Sequence, residues 1–262
     1  MNARFTSLAW TADRDRLATA RATAADSAFV RGVFSLLERT EYRRCDKGED
    51  VEDIYRLRYR AYRAHGVVPA MTSRMIHDDL DDSENVYRFG VYVDQHLVST
   101  LRIHILDQDH RRGPSTQAFG DIVEPMIDAG DTFVDPSRFA ADPEWSKGWP
   151  QIPYLTLRLA GMACFYFQAP YCLSTIREDH ASFYRRIYNS QKLGEARSYP
   201  GVYTRVELYR ADVEAIRDRS FKRYPFFFST PSEERLMFGS SPKSEPAPLT
   251  ILPTAKYLLR AA

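Results

Sequence analysis

The segment from Tyr87 to Leu106 constrains the fold more than any other part of the chain. Two alternating runs, Tyr87–Val93 and His96–Leu106, are separated only by Asp94 and Gln95, the spacing of a tight β-hairpin. In the second run Leu97, Leu101, Ile103 and Ile105 share one face, while Val98, Thr100, His104 and Leu106 share the other with Arg102. If helices cover both faces of this sheet, Arg102 is buried and needs a carboxylate partner.

A second segment poses the same problem in a helix. Asp50 reads as an N-cap, Gly66 as a stop, and at 100° per residue Ile54, Leu57, Arg58, Ala61, Tyr62 and His65 fall on one face. Arg56, Arg60 and Arg63 lie opposite, as a solvated face does, whereas Arg58 projects from the apolar stripe. A buried guanidinium costs several kcal/mol unless acids and hydrogen bonds compensate it. The nearest acids are in Asp78-Asp79-Leu80-Asp81-Asp82, and Asp135 and Arg138 stand among apolar residues in Phe133–Phe139. These segments predict one charged network between helix and sheet, which either staples the fold or holds a catalytic carboxylate.

The remaining elements follow from periodicity. A helix is expected over Asp26–Thr40, and a short strand over Thr132–Val134 that Pro136 ends or bulges. A buried helix is expected from Pro153 to Gln168, a strand over Tyr171–Ile176, a helix over His180–Tyr188 and a strand over Val202–Tyr209. This order describes an α/β fold around one mixed sheet. Residues 1–45 read as an N-terminal helical arm, 46–218 as the domain, and 219–262 as a C-terminal extension. In that extension Pro225-Phe226-Phe227-Phe228 should dock on an apolar surface, and 240–246 has the composition of a tail.

Composition excludes several function classes. Lys and Arg number 36 against 35 Asp and Glu, without the basic excess of a nucleic-acid binder. The three cysteines lack CxxC spacing, and the histidines lack metal-ligand spacing, so neither a disulfide framework nor a metal is expected. Charges at Asp13–Arg16 interrupt any signal peptide, and the most apolar stretch, Leu159–Phe167, is nine residues against the ~20 of a membrane span. A cytoplasmic protein without stable membrane insertion is the expectation.

Leu57-Arg58-Tyr59-Arg60-Ala61-Tyr62, Asp78-Asp79-Leu80-Asp81, Leu101-Arg102 and Val134-Asp135-Pro136-Ser137-Arg138-Phe139 together resemble the acyl-homoserine-lactone synthase pattern. His180-x-x-Phe183-Tyr184-Arg185-Arg186 and Leu193-Gly194-Glu195-x-Arg197-x-Tyr199-Pro200 look more like the related N-acyl amino acid synthases. The resemblance covers about residues 50–210 and implies a GNAT-like fold: a central mixed, mostly antiparallel sheet flanked by helices. It implies that Arg58 and Tyr62 border the acyl-chain entrance, that Asp78 and Asp81 pair with Arg102, and that Arg138 is the arginine of the Ser-Arg motif. Asp135 falls where the family has glutamate, the candidate general base. Its side chain is shorter by one methylene, about 1.5 Å, which favours action through a bridging water. Ser137, Phe139 and Tyr184 are assigned to the substrate, with backbone N–H groups of the Ser137–Ala141 region holding the oxyanion.

The resemblance also separates possible donors and products. Coenzyme A-dependent relatives place the pyrophosphate on a glycine-rich turn at a helix N-terminus. Ala140–Pro153 contains only Gly148 and no such turn. The expectation is therefore an acyl-4'-phosphopantetheine delivered on acyl carrier protein, which docks on basic residues such as Arg111, Arg112, Lys147, Arg185 and Arg186. No separate cofactor is expected. The lactone enzymes' tryptophan after the first helix is missing in Ala64-His65-Gly66-Val67-Val68, and their glutamate opening the acidic motif is missing in Ile76-His77-Asp78. Both departures count against lactone formation. The leading expectation is transfer of a long acyl chain to an amino acid's amino group, with Asp135, Arg102 and Arg138 as catalytic residues. Tyr154, Met162 and Phe165 on the apolar helix either line an acyl tunnel or are plain core. Lactone synthesis from S-adenosylmethionine is the alternative enzyme, and a non-catalytic lipid-binding protein is the alternative of another class.

Overall fold

A computed structural model describes residues 27–239 and 250–255. The signal-peptide reading around Asp13–Arg16 and the tail reading over 240–246 lie outside the described residues. Helix α1 (Ala28–Leu37) and strand β1 (Thr40–Arg44) lead to α2 (Glu49–Ala64) and a short 3-10 turn at Asp79–Asp82. The hairpin β2 (Val86–Val93) and β3 (His96–Leu106) follows, then α3 (Pro114–Asp128), β4 (Phe133–Ala141), α4 (Pro143–Gly148) and α5 (Ile152–Tyr166). The chain continues through β5 (Tyr171–Ile176), α6 (Ala181–Tyr188), β6 (Gln191–Ser198), β7 (Arg205–Asp212), α7 (Val213–Arg223), α8 (Pro231–Phe238) and β8 (Thr250–Ile251).

The hairpin forms where the alternation puts it. Asp94 and Gln95 both adopt positive φ, 47° and 68°, the tight-turn conformation whose twist matches its flanking strands. Around it the sheet runs β6-β7-β5-β4-β3-β2-β1-β8. Among the described residues every neighbouring pair is antiparallel except β4 and β5. Those two are parallel and pair only at Phe133–Tyr171 and Val134–Cys172, after which they part. The architecture is the α/β, mostly antiparallel mixed sheet flanked by helices that the sequence predicts.

Several elements differ from the sequence reading. The strand near Thr132 does not end at Pro136 but runs to Ala141. Beyond Val134 one side of β4 has no partner strand, so the N–H that proline lacks leaves no sheet bond unmade there. The strand expected from Val202 starts at Arg205, after a turn at Pro200 and Gly201. Strand β1, within the segment read as a helical arm, pairs antiparallel with β2. Helix α3 and strand β6 also escaped the periodicity.

Apolar residues pack on both faces of the sheet. On one face, α1, α5 and α8 meet Phe89, Val91, Leu101, Ile103 and Ile105. The aromatic run docks in the same cluster, where Phe226 is fully buried and packs edge-on against Phe34 and Tyr154. The opposite face is covered by α2 and α3. No helix among the described residues is long and apolar enough to cross a membrane.

One ion pair ties α8 to α5. Arg158, fully buried within the apolar helix, donates to Glu233 at 2.5 and 2.9 Å and to the Phe226 carbonyl at 2.8 Å. Glu233 also accepts from the Thr254 N–H at 3.0 Å. Removing one member of such a pair leaves an uncompensated buried charge. Glu233→Ala should lose about 3–5 kcal/mol of stability, and the double exchange Arg158→Met with Glu233→Leu should recover most of it in thermal denaturation.

Candidate active site

The charged network closes between α2, the 3-10 turn, β3 and β4. Arg58 Nη1 donates to both oxygens of Asp81, at 2.8 and 3.0 Å, and both side chains are fully buried. Asp81 meets Arg102 Nη1 at 3.1 Å, and the same nitrogen reaches Asp78 at 2.5 Å. Arg138 then binds the other oxygen of Asp78, through Nε at 3.2 Å and through Nη2. Arginine and aspartate thus alternate along one ladder. The two acids are fixed by the local chain, because Asp78 caps the turn by accepting from the Leu80 N–H while Asp81 accepts from the Asp78 N–H.

The electrostatics follow from that alternation. Burial works to raise Asp78, but Arg102 and Arg138 outweigh it and hold the carboxyl well below its usual range. Burial is likewise outweighed at Asp81 by Arg58 and Arg102. Burial pulls Arg58 below the usual guanidinium value. Among the described residues Arg58 Nε and Nη2 and Arg102 Nη2 have no hydrogen-bond partner, so these cations rely on the aspartates.

Strand β4 carries a bulge beside the ladder. Thr100 faces Ala140 and Arg102 faces Ser137, so two residues, Arg138 and Phe139, oppose Leu101 alone. Arg138 takes up the extra length with φ 51°, which turns its guanidinium toward Asp78 between the rings of Tyr62 and Tyr199, each 6.0 Å away. Arg102 Nε also donates to Ser137 Oγ at 3.1 Å.

Asp135 departs from the expected network: it makes no ion pair. It is fully buried beside His104 on the neighbouring strand, and α3 provides its partners. The Ser115 N–H donates to Oδ2 at 2.8 Å and the Ser115 hydroxyl to Oδ1 at 2.7 Å. Burial pushes the carboxyl up to about 6, although both Ser115 bonds and the field of Arg102 oppose the rise. Gly113 permits this approach, since a Cβ there would lie 2.7 Å from Leu106 Cδ2 and 3.1 Å from Asp135 Oδ2. His104 is pulled down to about 3 by burial and Arg102, so its ring is neutral and donates from Nε2 to the Leu80 carbonyl at 2.9 Å.

A cleft of about 680 Å³ opens where β4 and β5 part. Pro136, Leu157, Ser174 and Tyr184 line it and also line a second, smaller apolar cavity of about 70 Å³ beneath α5, α6 and α7. Of the residues singled out in the sequence, Tyr62, Ser137, Arg138, Phe139 and Tyr184 border the cleft, and Phe165 borders the smaller cavity. Arg58, Asp78, Asp81 and Arg102 form the ladder behind the wall, and Asp135 lies behind Ser115.

Two tunnel assignments need correction. Tyr154 lines neither space; it packs against Phe29, Phe183 and Phe226 and borders an outer depression. Met162 is fully buried in the core, its sulfur 3.1 Å from Arg158 Nη1. The helix is apolar nearly all round, so periodicity alone does not identify the face turned to the cavity. The sequence reading missed Thr175 and Arg177, which line the cleft, and Ser115 behind it, and it quoted Tyr199, another lining residue, only within a motif. Ser115 had a legible signal, since Gly113-Pro114-Ser115 marks a helix start.

No group of three or more His, Cys, Asp or Glu is placed to hold a metal ion among the described residues. At the start of α5 the N–H groups of Ile152, Tyr154 and Leu155 bond to backbone carbonyls, while positions 150 and 153 are prolines without an N–H.

The ladder generates a stability prediction. Asp78 and Asp81 have folded values below their unfolded ones, so the stability they contribute is present above about pH 4 and is lost as pH falls through the folded values. Arg58→Ala should cost about 3–5 kcal/mol at pH 7 by stranding Asp81. Arg60→Ala, on the exposed face with one partly solvated partner, should cost less than about 1 kcal/mol. Equal melting temperatures for the two variants would refute this assignment.

Comparison with known proteins agrees with the geometry. The model of the family described as "N-acyl amino acid synthase FeeM" matches residues 53–212. Among solved structures, FeeM, an N-acyl amino acid synthase from uncultured soil microbes, superposes with TM-score 0.59 at 15% identity over 71% of this chain and 97% of that one. The acyl-homoserine-lactone synthase LasI gives TM-score 0.50 at 14% identity over 66% and 89%. At these identities the likenesses establish a shared fold, the GNAT-like one. No curated protein matches the chain. The family model spans more than half of the 262 residues, its match contains the whole Arg–Asp ladder and Asp135, and the chain belongs to the FeeM family of N-acyl amino acid synthases.

Proposed function

We propose that this protein transfers a long acyl chain from the thioester of acyl carrier protein to the amino group of an amino acid. The observation that carries this reading is that the cleft and the apolar cavity share Pro136, Leu157, Ser174 and Tyr184 as lining, beside the place where β4 and β5 part. A thioester at the gap directs its acyl chain toward the cavity, where each buried CH₂ contributes about 0.8 kcal/mol, and leaves its carbonyl along the unpaired edge of β4. Backbone N–H groups of the Ser137–Ala141 stretch then serve the oxyanion.

The acceptor enters from the cleft side. Its ammonium group must lose a proton before it attacks the carbonyl carbon, and the C–S bond breaks as the tetrahedral intermediate collapses. Asp135 accepts that proton: it is ionised above about pH 6 and is the buried carboxylate nearest the gap that is not neutralised by an arginine. Arg102 lies behind the wall of the site and Arg138 borders the cleft, and both hold the bulged strand in place through Asp78. Burial raises the Tyr184 phenol, which therefore stays protonated at neutral pH at the junction of cleft and cavity.

Carrier protein is favoured over coenzyme A because the first turn of α5 offers no row of free N–H groups to a pyrophosphate. Arg185 and Arg186, exposed on α6, supply cations for an acidic carrier, while Lys147 and Arg177 at the cleft are paired with Glu144 and Asp179. Arg111, tied to Asp128 at 2.7 Å on the α3 side, contributes less to that surface.

Incubation with acyl carrier thioester and a pool of amino acids, with products read by mass, tests the reading. An N-acyl amino acid is expected, and a lactone from S-adenosylmethionine or tight lipid binding without turnover would overturn it. Asp135→Asn should lower kcat by about 10²–10⁴-fold without loss of the folded state. In the wild type, kcat should lose an additional tenfold per pH unit below about pH 6, because protonated Asp135 accepts nothing.

A further inference from the structure

We propose that Thr175 and Ser115 form the proton path that joins the cleft to Asp135. The proposal rests on the aminolysis reading above and names the route that reading requires. Asp135 is fully buried and does not border the cleft, so a substrate ammonium group cannot touch it. Its Oδ1 is 2.7 Å from Ser115 Oγ, and Ser115 Oγ is 2.8 Å from Thr175 Oγ1, whose residue does line the cleft.

The directions of these bonds are set by chemistry. An ionised carboxylate only accepts, so the single Ser115 hydroxyl proton points at Asp135. Ser115 therefore accepts from Thr175, and the Thr175 hydroxyl proton points inward. Its remaining lone pair is available to accept from a donor in the cleft, as an ammonium group is. One concerted shift then moves the ammonium proton to Thr175, the Thr175 proton to Ser115, and the Ser115 proton to Asp135 Oδ1. The products are a neutral amine and a neutral carboxylic acid, with both hydroxyls restored. After the amine attacks, its remaining excess proton leaves with the thiolate sulfur as a thiol. Asp135 returns its proton to solvent along the same chain.

Two other neighbours of Asp135 do not border the cleft. The neutral His104 ring beside it is fixed to the Leu80 carbonyl and is itself fully buried. Arg102, also fully buried, is committed to Asp78, Asp81 and Ser137. The second carboxylate oxygen holds the Ser115 N–H, which anchors the carboxylate to the first turn of α3 and keeps the Oδ1 bond aligned.

Thr175→Val removes the hydroxyl and should lower kcat for an amino acid acceptor by about 10²-fold, with the KM for the thioester unchanged. Thr175→Ser should restore most of that loss. Hydroxylamine, already uncharged at neutral pH, needs no such relay, so with it as acceptor Thr175→Val should behave nearly as the wild type. Equal kcat for Thr175→Val and wild type on the amino acid would overturn the path. A second readout does not need turnover: exchange of the Asp135 carboxyl proton with D₂O, followed by the infrared C=O band that Asp135→Asn removes. Thr175→Val and Ser115→Ala should each slow that exchange, and unchanged exchange would overturn the path. A wild type that forms no N-acyl amino acid would sink the proposed function alone, since the exchange measurement still decides the path.

Discussion

The alternating ladder Arg58–Asp81–Arg102–Asp78–Arg138 is the interaction on which the rest of the site depends. It joins a helix, a capped 3-10 turn, a central strand and a bulged strand. Each cation in it is too buried to be tolerated alone, and each aspartate is fixed by the turn before an arginine reaches it. Its last rung, Arg138, holds the bulge of β4 in a left-handed conformation that few arginines adopt. That bulge lies just past the point where β4 leaves β5. The ladder thus stabilises the strand edge beside the cleft, which its last rung, Arg138, also lines.

Charge is divided sharply across this opening. Asp78 and Asp81 are neutralised by arginines and are poor proton acceptors, whereas Asp135 has only hydrogen bonds and is raised by burial. The pair of environments separates structural carboxylates from the one suited to base chemistry near neutral pH. The neighbouring cavity is apolar and the cleft is open, which suits a reaction between an acyl chain and a small polar acceptor. Membership of the FeeM family and the shared fold point the same way.

Legibility in the sequence tracked how strongly each residue conflicts with its local pattern. Arg58 and Arg102 could be found because a charge in an apolar stripe or strand face has few physical explanations. The hairpin was legible from its alternation and from the two residues that separate its strands. Strand β6 was not, because Gln191–Ser198 is polar and mostly exposed at the sheet edge, without an apolar face. Helix α3 was obscured by Gly120, by Pro125 inside it and by non-helical dihedrals at Phe119. Asp135 was legible as an anomaly, but its partner was not. Ser115 lies twenty residues earlier and meets it only through the packing of α3 on the sheet. The buried helix α5 shows the converse limit, since its composition marks it as buried without saying which side faces a cavity.

The central claim is that the acyl chain lies in the cavity beneath α5, α6 and α7, entered between β4 and β5. An acyl pantetheine thioester bearing a photoreactive diazirine at the end of its chain tests this most directly, with the labelled residues mapped by peptide mass. The account predicts labelling on residues of that cavity, such as Leu157, Phe165 and Tyr188. Labelling confined to the outer depression around Phe29, Tyr154 and Tyr224 would contradict it.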